Sequence, residues 1–380
     1  MRMKLAMLGM SVLIATSCGV DTSHDVTESG RAEIAAALNN AVRQGYPGAQ
    51  AVITDNGHTW TVTAGVADLA TGRPFSDDDR LRIASNTKPF VATVMLQLVA
   101  EGKVELDAPV ERYLPGVVHG PGIDGNRITI RNLLQHTSGL PEYAAEFGTP
   151  PKPGQVAGLT EQVRWGTTDT AEVIRNALTA PADFEPGAHW AYSNTNYVIA
   201  GMVIEQITGN PVGTEITHRV IVPLGLRDTY YPNPEEIDIR GPHPKGYTEI
   251  DGVQVDYTSQ NVSWAGAAGA MVASGADLNH FFLALLDGQL LPPAQLAEMK
   301  NVRPTGVGST WAYGLGLARM TMSCGSELWG HTGGLSGTVT YDGVVLTTGR
   351  AITIALNQDL MDDRSREGSR ALDAAACADR

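Results

Sequence analysis

The chain has 380 residues, of which 43% are hydrophobic and 18% are charged. This composition is typical of a globular protein with a substantial core and excludes a disordered chain. The formal net charge of −14 argues against nucleic acid or an anionic membrane surface as a partner, because both repel an acidic protein. At about 150 residues per domain, the length predicts one large domain or two lobes.

The first 18 residues have the pattern of an export signal. Arg2 and Lys4 precede an apolar run over residues 5–15, which is too short to span a bilayer as a mature helix. Residues 15–18 resemble the lipobox of bacterial lipoproteins and make Cys18 the expected lipidation site, with plain secretion as the alternative. We therefore expect an extracellular protein or a cell-surface lipoprotein, in contact with a membrane only through this anchor.

Regular elements are predicted to begin after a polar segment at residues 19–30, which we expect to be a flexible tether. Apolar residues at helical spacing predict a helix over residues 33–42. Two extended runs at residues 51–53 and 60–62 flank an Asn-Gly pair at 56–57. This pattern predicts a β-hairpin with a tight turn.

A helix beginning near Ser85 and continuing to Ala100 is apolar on nearly every side. A helix without a polar face is buried all round. Pro89 falls in its first turn, where no helical N–H bond is lost, and Gly102 is the expected C-cap. Ser85 is therefore predicted to open a helix that runs through the centre of the protein.

The middle of the chain is predicted to be mainly helical and the last part to be mainly strands. Ser274 is the predicted cap of the third helix in the middle region. The predicted helices are residues 171–178, 195–207 and 278–286, and the predicted strands are residues 315–317, 328–329, 338–340 and 352–354, followed by a helix over 364–376.

The N-terminal hairpin needs further strands, because a two-stranded ribbon is marginally stable alone. The C-terminal strands are its expected partners. We therefore predict an α/β (α+β) fold, with an antiparallel sheet flanked by helices. The sheet lobe is expected to comprise about residues 31–103 and 300–380, with an all-helical lobe inserted at about residues 104–299. The cleft between two lobes is where a site is expected.

Ser85-Asn86-Thr87-Lys88 is a Ser-x-x-Lys motif at the predicted start of the buried helix. Residues three apart lie on one face of a helix, so the Lys88 amine can approach the Ser85 hydroxyl. A buried lysine loses proton affinity and can act as a base. The alternative, an N-cap serine with a surface lysine, is weakened by the apolar helix that follows.

Two further groups supply the remaining parts of such a site. Tyr192 and Asn194 precede another predicted helix; a phenol can relay the serine proton, and an amide can hold both Lys88 and a substrate carbonyl. His331-Thr332-Gly333 lies in a strand context with Gly334 next to it. A substrate can lie along such a strand, and the N–H groups of Gly334 and Ser85 can form an oxyanion hole. Packing and a glycine-rich hairpin are the respective alternatives.

These three motifs, in this order, resemble the class C β-lactamase and D-alanyl-D-alanine carboxypeptidase family of penicillin-recognising proteins, including the secreted Streptomyces carboxypeptidases. The resemblance covers about residues 32–377. Further matching segments are residues 65–68, 70–73, 138–140, 263–265 and 313–317, and His136.

The resemblance implies roles for individual residues. Ser85 is the implied nucleophile, Lys88 and Tyr192 the proton relay, and Asn194 the positioning amide. The resemblance places His331, Thr332, Gly333 and Gly334 on the substrate strand, Trp264 and Phe147 in the pocket walls, and Cys324 and Cys377 in a disulfide. In an oxidising compartment these two cysteines can join; two unpaired thiols are the alternative.

Two positions depart from the Streptomyces carboxypeptidases, which hold the substrate carboxylate with an arginine and a threonine. This chain has Ala318 and Gly334 there. Arg319 is adjacent to Ala318, but neighbouring strand residues point to opposite faces unless a bulge redirects one of them. The serine machinery is thus better supported than the carboxypeptidase specificity.

The sequence therefore predicts acyl transfer through a Ser85 ester, with peptidoglycan stem peptides ending in D-alanyl-D-alanine as the expected substrate and β-lactam antibiotics as inhibitors. The alternatives are an esterase, a β-lactamase or an amidohydrolase acting on a small acyl substrate, or a penicillin-binding sensor without turnover. No motif indicates a metal or other cofactor. His136 is interpreted as a structural histidine.

Overall fold

A computed structural model describes residues 26–144, 155, 160–306, 310–360 and 362–379. The expected signal segment, Cys18 and Phe147 lie outside these ranges. Within the described residues, no helix is both long enough and apolar enough to cross a membrane.

The helices are given first, in chain order. They are α1 Glu28–Arg43, α2 Thr87–Ala100, α3 Ile130–Leu134, α4 Glu161–Trp165, α5 Thr170–Ala177, α6 Asn194–Thr208, α7 Val212–Ile216, α8 Val222–Leu224, α9 Gly266–Gly269, α10 Gly275–Leu286, α11 Pro293–Met299 and α12 Arg366–Cys377.

The strands, like the helices, are numbered in chain order. They are β1 Gly48–Asp55, β2 His58–Gly65, β3 Arg80–Arg82, β4 His119–Gly120, β5 Ile123–Asp124, β6 Tyr247–Ile250, β7 Val253–Asp256, β8 Val272–Ser274, β9 Arg303–Pro304, β10 Trp311–Tyr313, β11 Ala318–Thr321, β12 Glu327–Leu335, β13 Thr338–Val345 and β14 Arg350–Leu356.

The main sheet is antiparallel and joins the two ends of the chain. Its order is β2-β1-β14-β13-β12-β11-β10-β9, and β1 pairs with β14 over six residue pairs, from Ala49 with Leu356 to Thr54 with Ala351. The predicted hairpin is confirmed, since Asn56 and Gly57 form its turn with φ of 48° and 79°. An antiparallel sheet flanked by helices is therefore the fold that the sequence predicted.

Helices cover both faces of this sheet. On one face, α1 and α12 bury Ile34 and Leu372 against Ile53 of β1. On the other face lie α10 and α2, whose Phe281 and Phe90 rings stack with centroids 3.7 Å apart. Fully burying one such side chain contributes about 1.5–3 kcal/mol, so the two layers fix the sheet from both sides.

Several predicted boundaries are shifted, and each shift has a local cause. α1 begins at Glu28, inside the segment expected to be a tether, because the Thr27 hydroxyl accepts the Gly30 N–H at 3.2 Å. The predicted strand at 315–317 is wrong: these residues form the turn between β10 and β11. Gly316 adopts φ 76° there, and a Cβ on it would lie 2.5 Å from Ala92 of α2.

The inserted segment is mainly helical rather than all-helical. It contains the β4–β5 and β6–β7 ribbons, and its strand β8 pairs with β3. Strands of two to four residues carry too little alternation to be recognised in a sequence. The other predicted helices appear as α5, α6, α10 and α12, and the Ser274 cap is confirmed, because its hydroxyl accepts the Asp277 N–H.

Cys324 and Cys377 form the disulfide that the sequence predicted, with Cα atoms 5.7 Å apart. The bond ties the loop after β11 to the last residue of α12, across 53 positions of the chain. Because α12 packs on the outer face of the sheet, the disulfide closes the C-terminal helix onto the strands that it covers.

Candidate active site

Ser85 lies in a short 3₁₀ turn, Ala84–Asn86, between β3 and α2. Ala84 has φ 46°, a conformation that is uncommon for a residue with a side chain and costs on the order of 1–3 kcal/mol. The turn is held on both sides: Ile83 N donates to Met271 O at 3.0 Å, and Asn86 Nδ2 donates to Asp342 Oδ2 at 2.5 Å. These bonds fix the direction in which the Ser85 hydroxyl points.

Lys88 is fully buried on the first turn of α2. Its ammonium group donates to three acceptors: Ser85 Oγ at 2.9 Å, Asn194 Oδ1 at 2.7 Å and Ala268 O at 2.8 Å. A buried ammonium without partners would be prohibitively costly, so the three acceptors explain how the helix tolerates it. The approach of the Lys88 amine to the Ser85 hydroxyl, which the three-residue spacing predicts, is therefore confirmed.

Tyr192 and Asn194, at the start of α6, contact Ser85 and Lys88 respectively. Tyr192 OH donates to Ser85 Oγ at 2.8 Å, so the serine oxygen lies between a phenol and an amine. Tyr192 is held by His136, whose ring lies 4.4 Å from the phenol ring between centroids. His136 Nδ1 accepts the Ser193 N–H at 3.2 Å, which is the loop-capping arrangement expected of a structural histidine.

Glu142 is the site residue that sequence reasoning missed. Its carboxylate accepts the backbone N–H of Asn194 at 2.6 Å, the side-chain N–H of Asn194 at 3.0 Å and the Ala144 N–H at 2.8 Å. The glutamate lies 52 residues from Asn194 in sequence, in a stretch with no recognisable pattern. Only the fold shows that it orients the amide that holds Lys88.

Burial controls the charge of the groups around Ser85. It lowers the pKa of Lys88 from 10.5 to about 7, against the opposing effect of the Glu142 carboxylate, which raises it. Burial also raises the pKa of Tyr192 well above its usual value and lowers the pKa of His331 to about 3. At neutral pH, Lys88 therefore exchanges its proton easily, whereas Tyr192 stays a neutral phenol and His331 a neutral imidazole.

The predicted substrate strand is β12, which passes beside the serine turn. Gly333 packs so closely on this turn that a Cβ would lie 2.2 Å from Ile83 O. A Cβ on Gly334 would meet nothing within 4 Å. Residues 331–335 pair with β13 but have no partner among the described residues on the other edge, because β11 pairs only with residues 327–330. That edge is free to accept an extended substrate.

A cavity of about 330 Å³ opens at Ser85 between the sheet and the inserted segment. Of the predicted site residues, Tyr192, Asn194, Trp264 and Gly334 line it with Ser85. His331, Thr332 and Gly333 do not: His331 is buried, with its Nε2 2.8 Å from Tyr313 OH. Phe147 lies outside the described residues. Glu142 is the acidic residue among those that line the cavity, and the described lining contains no lysine or arginine.

The two departures from the carboxypeptidase pattern are visible in the geometry. Ala318 is buried and pairs with Gly330 at the start of β11. The pairing continues regularly through Arg319 with Trp329, without a bulge. Arg319 instead lies 3.4 Å from Glu327 and is partly exposed. Arg319 therefore does not replace the missing arginine.

The Beta-lactamase family model matches residues 28–376 of this chain. The chain belongs to this family. A D-stereospecific amidohydrolase from Streptomyces sp. is 40% identical, with a TM-score of 0.83 over 92% of this chain and 99% of that chain. A D-amino acid amidase from Ochrobactrum anthropi is 31% identical, with a TM-score of 0.80 over 92% and 98% of the two chains.

The esterase EstB of Burkholderia gladioli is 35% identical over 236 residues, which cover 59% of this chain and 58% of the esterase. The match thus spans less than two thirds of that relative.

The predicted family is confirmed, and the chain is an enzyme of the serine hydrolase type. Hydrogen bonds link Ser85 to both Lys88 and Tyr192, and Lys88 to Asn194.

Gly333 and Gly334 provide a matched pair of substitutions. Gly333→Ala places a methyl group against Ile83 O, two residues before Ser85, so we expect the serine turn to shift. A displacement of about 1 Å costs roughly 100-fold in rate, and esterase assays should show a loss of that order with a lowered Tm. Gly334→Ala enters open space and should keep the parent Tm. Equal Tm and activity for Gly333→Ala would contradict the close packing.

Proposed function

We propose that this enzyme hydrolyses small D-aminoacyl amides, and esters of the same acyl groups, through a Ser85 acyl-enzyme. One observation carries the proposal: among its described residues, the cavity at Ser85 offers a carboxylate, Glu142, and no cation. Such a site favours a substrate with an ammonium group and a neutral leaving group. The D configuration is supported by the two amidohydrolases described above, which match nearly the whole chain.

The proposed acylation uses the hydrogen bonds seen at Ser85. Neutral Lys88 accepts the Ser85 proton as Oγ attacks the substrate carbonyl, and the N–H groups of Ser85 and Gly334 bind the oxyanion. The Tyr192 phenol then donates its proton to the departing amine or alcohol and regains one from Lys88 through the network. The acyl group remains on Ser85 until water attacks, with the same groups moving the protons in reverse.

Asn194 and Glu142 complete this proposal. Asn194 Oδ1 holds Lys88, and its Nδ2 donates to Glu142, so the amide is fixed with its oxygen towards the lysine. Burial raises the pKa of the Glu142 carboxyl, while the N–H groups of Ala144 and Asn194 and the nearby Lys88 lower it. A substrate ammonium beside Glu142 would gain a charge-assisted hydrogen bond, which typically contributes about 1.5–3 kcal/mol.

A carboxypeptidase acting on peptidoglycan stem peptides is less well supported by this geometry. Such an enzyme must hold a terminal carboxylate next to the scissile bond. Ala318 is buried and Arg319 pairs with Glu327, so neither supplies the cation, and Glu142 would repel the carboxylate. β-Lactams, which form serine esters in this family, are proposed here as acylating inhibitors.

We further propose that the enzyme acts outside the cytoplasm, as an extracellular protein or a lipoprotein acylated on Cys18. Two features support this. The first 18 residues have the charge and hydropathy pattern of an export signal. Cys324 and Cys377 form a disulfide, which persists in oxidising compartments and is rare in the cytosol.

A substrate panel tests the proposed specificity. We expect D-phenylalanine amide to be hydrolysed with a higher kcat/KM than a peptide ending in D-alanyl-D-alanine. N-acetylation of the amide should lower kcat/KM by about tenfold or more, since it removes the ammonium group. In Glu142→Gln this penalty should nearly disappear, measured as the ratio of the two substrates within each variant. A strong preference for the free-acid peptide would refute the proposed specificity.

The pH dependence of acylation tests the proposed base. Because burial lowers the pKa of Lys88 to about 7 and the neutral amine is the active form, kcat/KM for an uncharged p-nitrophenyl ester should rise with pH and level off above about 7. Glu142 raises the pKa of Lys88, so Glu142→Gln should move this rise to lower pH. Glu105→Gln, on the surface, is the control. An unchanged profile in Glu142→Gln would argue against Lys88 as the base.

A further inference from the structure

A second cavity lies beside the serine turn, on the other side of β3. Its volume is about 20 Å³, and a cavity needs roughly 10–15 Å³ to hold one water-sized particle. It therefore has room for a single water or a monatomic ion and is too small for a polyatomic anion. Its walls come from β3, the 257–260 loop and the turn at 336–338 that joins β12 to β13.

Arg82 is the buried cation of this cavity. Only 3% of it is exposed, and one guanidinium nitrogen donates to the carbonyls of Ile237 at 2.6 Å and Gln260 at 3.1 Å. No carboxylate among the described residues lies within 4.0 Å of it. Burial lowers the pKa of Arg82 to about 10, although Tyr230, Asp238 and Glu236 raise it. A buried guanidinium with only carbonyl partners is costly.

Four buried polar atoms around the cavity have no hydrogen-bond partner. They are Arg82 Nε, Tyr257 OH, Ser336 Oγ and Thr338 Oγ1. All four belong to residues that line the same 20 Å³ space. Buried polar atoms are nearly always bonded, and an unsatisfied set indicates a bound water or ion. Each of the four can donate a hydrogen, since hydroxyl groups rotate to suit an acceptor.

The charge of the lining selects an anion over water. Arg80, Arg82 and Lys245 line the cavity, and no aspartate or glutamate does so. The two outer cations already have partners, Asp228 at 2.6 Å for Arg80 and Asp256 at 3.4 Å for Lys245. Arg82 has no carboxylate within 4.0 Å among the described residues, and Asp238 and Glu236 act on its charge only from a longer distance. A monatomic anion satisfies the four donors and the guanidinium together.

We propose that this cavity is a halide site, which takes chloride between Arg82 and the hydroxyls of Tyr257, Ser336 and Thr338. The site joins the two segments that flank the nucleophile. Arg82 lies three residues before Ser85, and Ser336 follows Leu335, which lines the Ser85 cavity. Gln260 already links the two, because its side chain donates to Ser336 O at 2.7 Å and its carbonyl accepts from Arg82. Bound chloride would stabilise the turn after the substrate strand.

Thermal unfolding at equal ionic strength tests the halide site without reference to activity. A ligand that binds only the folded state raises the free energy of unfolding by RT ln(1 + L/Kd), where L is the free ligand concentration, and Tm rises with it. We expect Tm in sodium chloride or bromide to exceed Tm in sodium gluconate by about 2–3 °C, the shift that roughly tenfold to 30-fold excess of halide over its Kd produces in a protein of this size. The difference should grow with the logarithm of the halide concentration above Kd.

Variants and crystallography locate the effect. Ser336→Ala/Thr338→Val removes two donors with little change of shape and should abolish most of the halide-dependent shift. Ser259→Ala should retain the halide-dependent shift. Ser259 lies in the 257–260 loop but does not line the cavity, and its hydroxyl donates to Asp238. Crystals grown in bromide should show an anomalous peak beside Arg82 Nε. Equal Tm in chloride and gluconate, a halide shift that survives the double substitution, or a water in place of the peak would each overturn the proposal.

Discussion

The burial of Lys88 is the constraint on which the site depends. A lysine without exposed surface on a largely buried helix is tolerated because its three N–H groups meet three acceptors, one each from the 3₁₀ turn before α2, from α6 and from α9. The same burial that makes the charged form costly lowers the lysine pKa to about 7. Stability and reactivity are thus two consequences of one environment.

The fold supplies these acceptors from segments that are far apart in sequence. The sheet joins both ends of the chain and presents β12 beside the serine turn, while the inserted segment brings Tyr192, Asn194 and Ala268 from the opposite side. Hydrogen bonds of Ile83 with Met271 and of Asn86 with Asp342 hold the turn in place and offset the strained backbone of Ala84. Support from both sides keeps the Lys88 amine and the Tyr192 phenol each within one hydrogen-bond length of the Ser85 hydroxyl.

Much of this arrangement was predictable from the sequence because it is local. The apolar composition of α2 predicts that the helix is buried, and the three-residue spacing predicts the approach of Lys88 to Ser85. The Asn-Gly pair predicts the first hairpin. Features that depend on contacts between distant segments were not predicted from the sequence. Glu142 acts through Asn194, which is distant in sequence, and β3 and β8 pair over only three residues. The Leu-Gly-Leu run at 315–317 predicts a strand because it lies between turn signals, but these residues are buried in a turn against α2.

The proposed specificity rests on charge at this site. In this chain the described lining carries Glu142 and no cation, and Arg319 is engaged with Glu327. In the proposed function, this acidic lining, rather than the Ser-x-x-Lys motif, favours an amidohydrolase over a carboxypeptidase.

The central claim is that Ser85 is acylated with the help of neutral Lys88. Its most direct test is intact-protein and peptide mass spectrometry after brief exposure to a penicillin near pH 8. We expect one added acyl group on the peptide that contains Ser85. The acylated peptide should accumulate slowly in Lys88→Ala and should not form in Ser85→Ala. Rapid labelling in Lys88→Ala, or a label that persists when Ser85 is replaced, would contradict it.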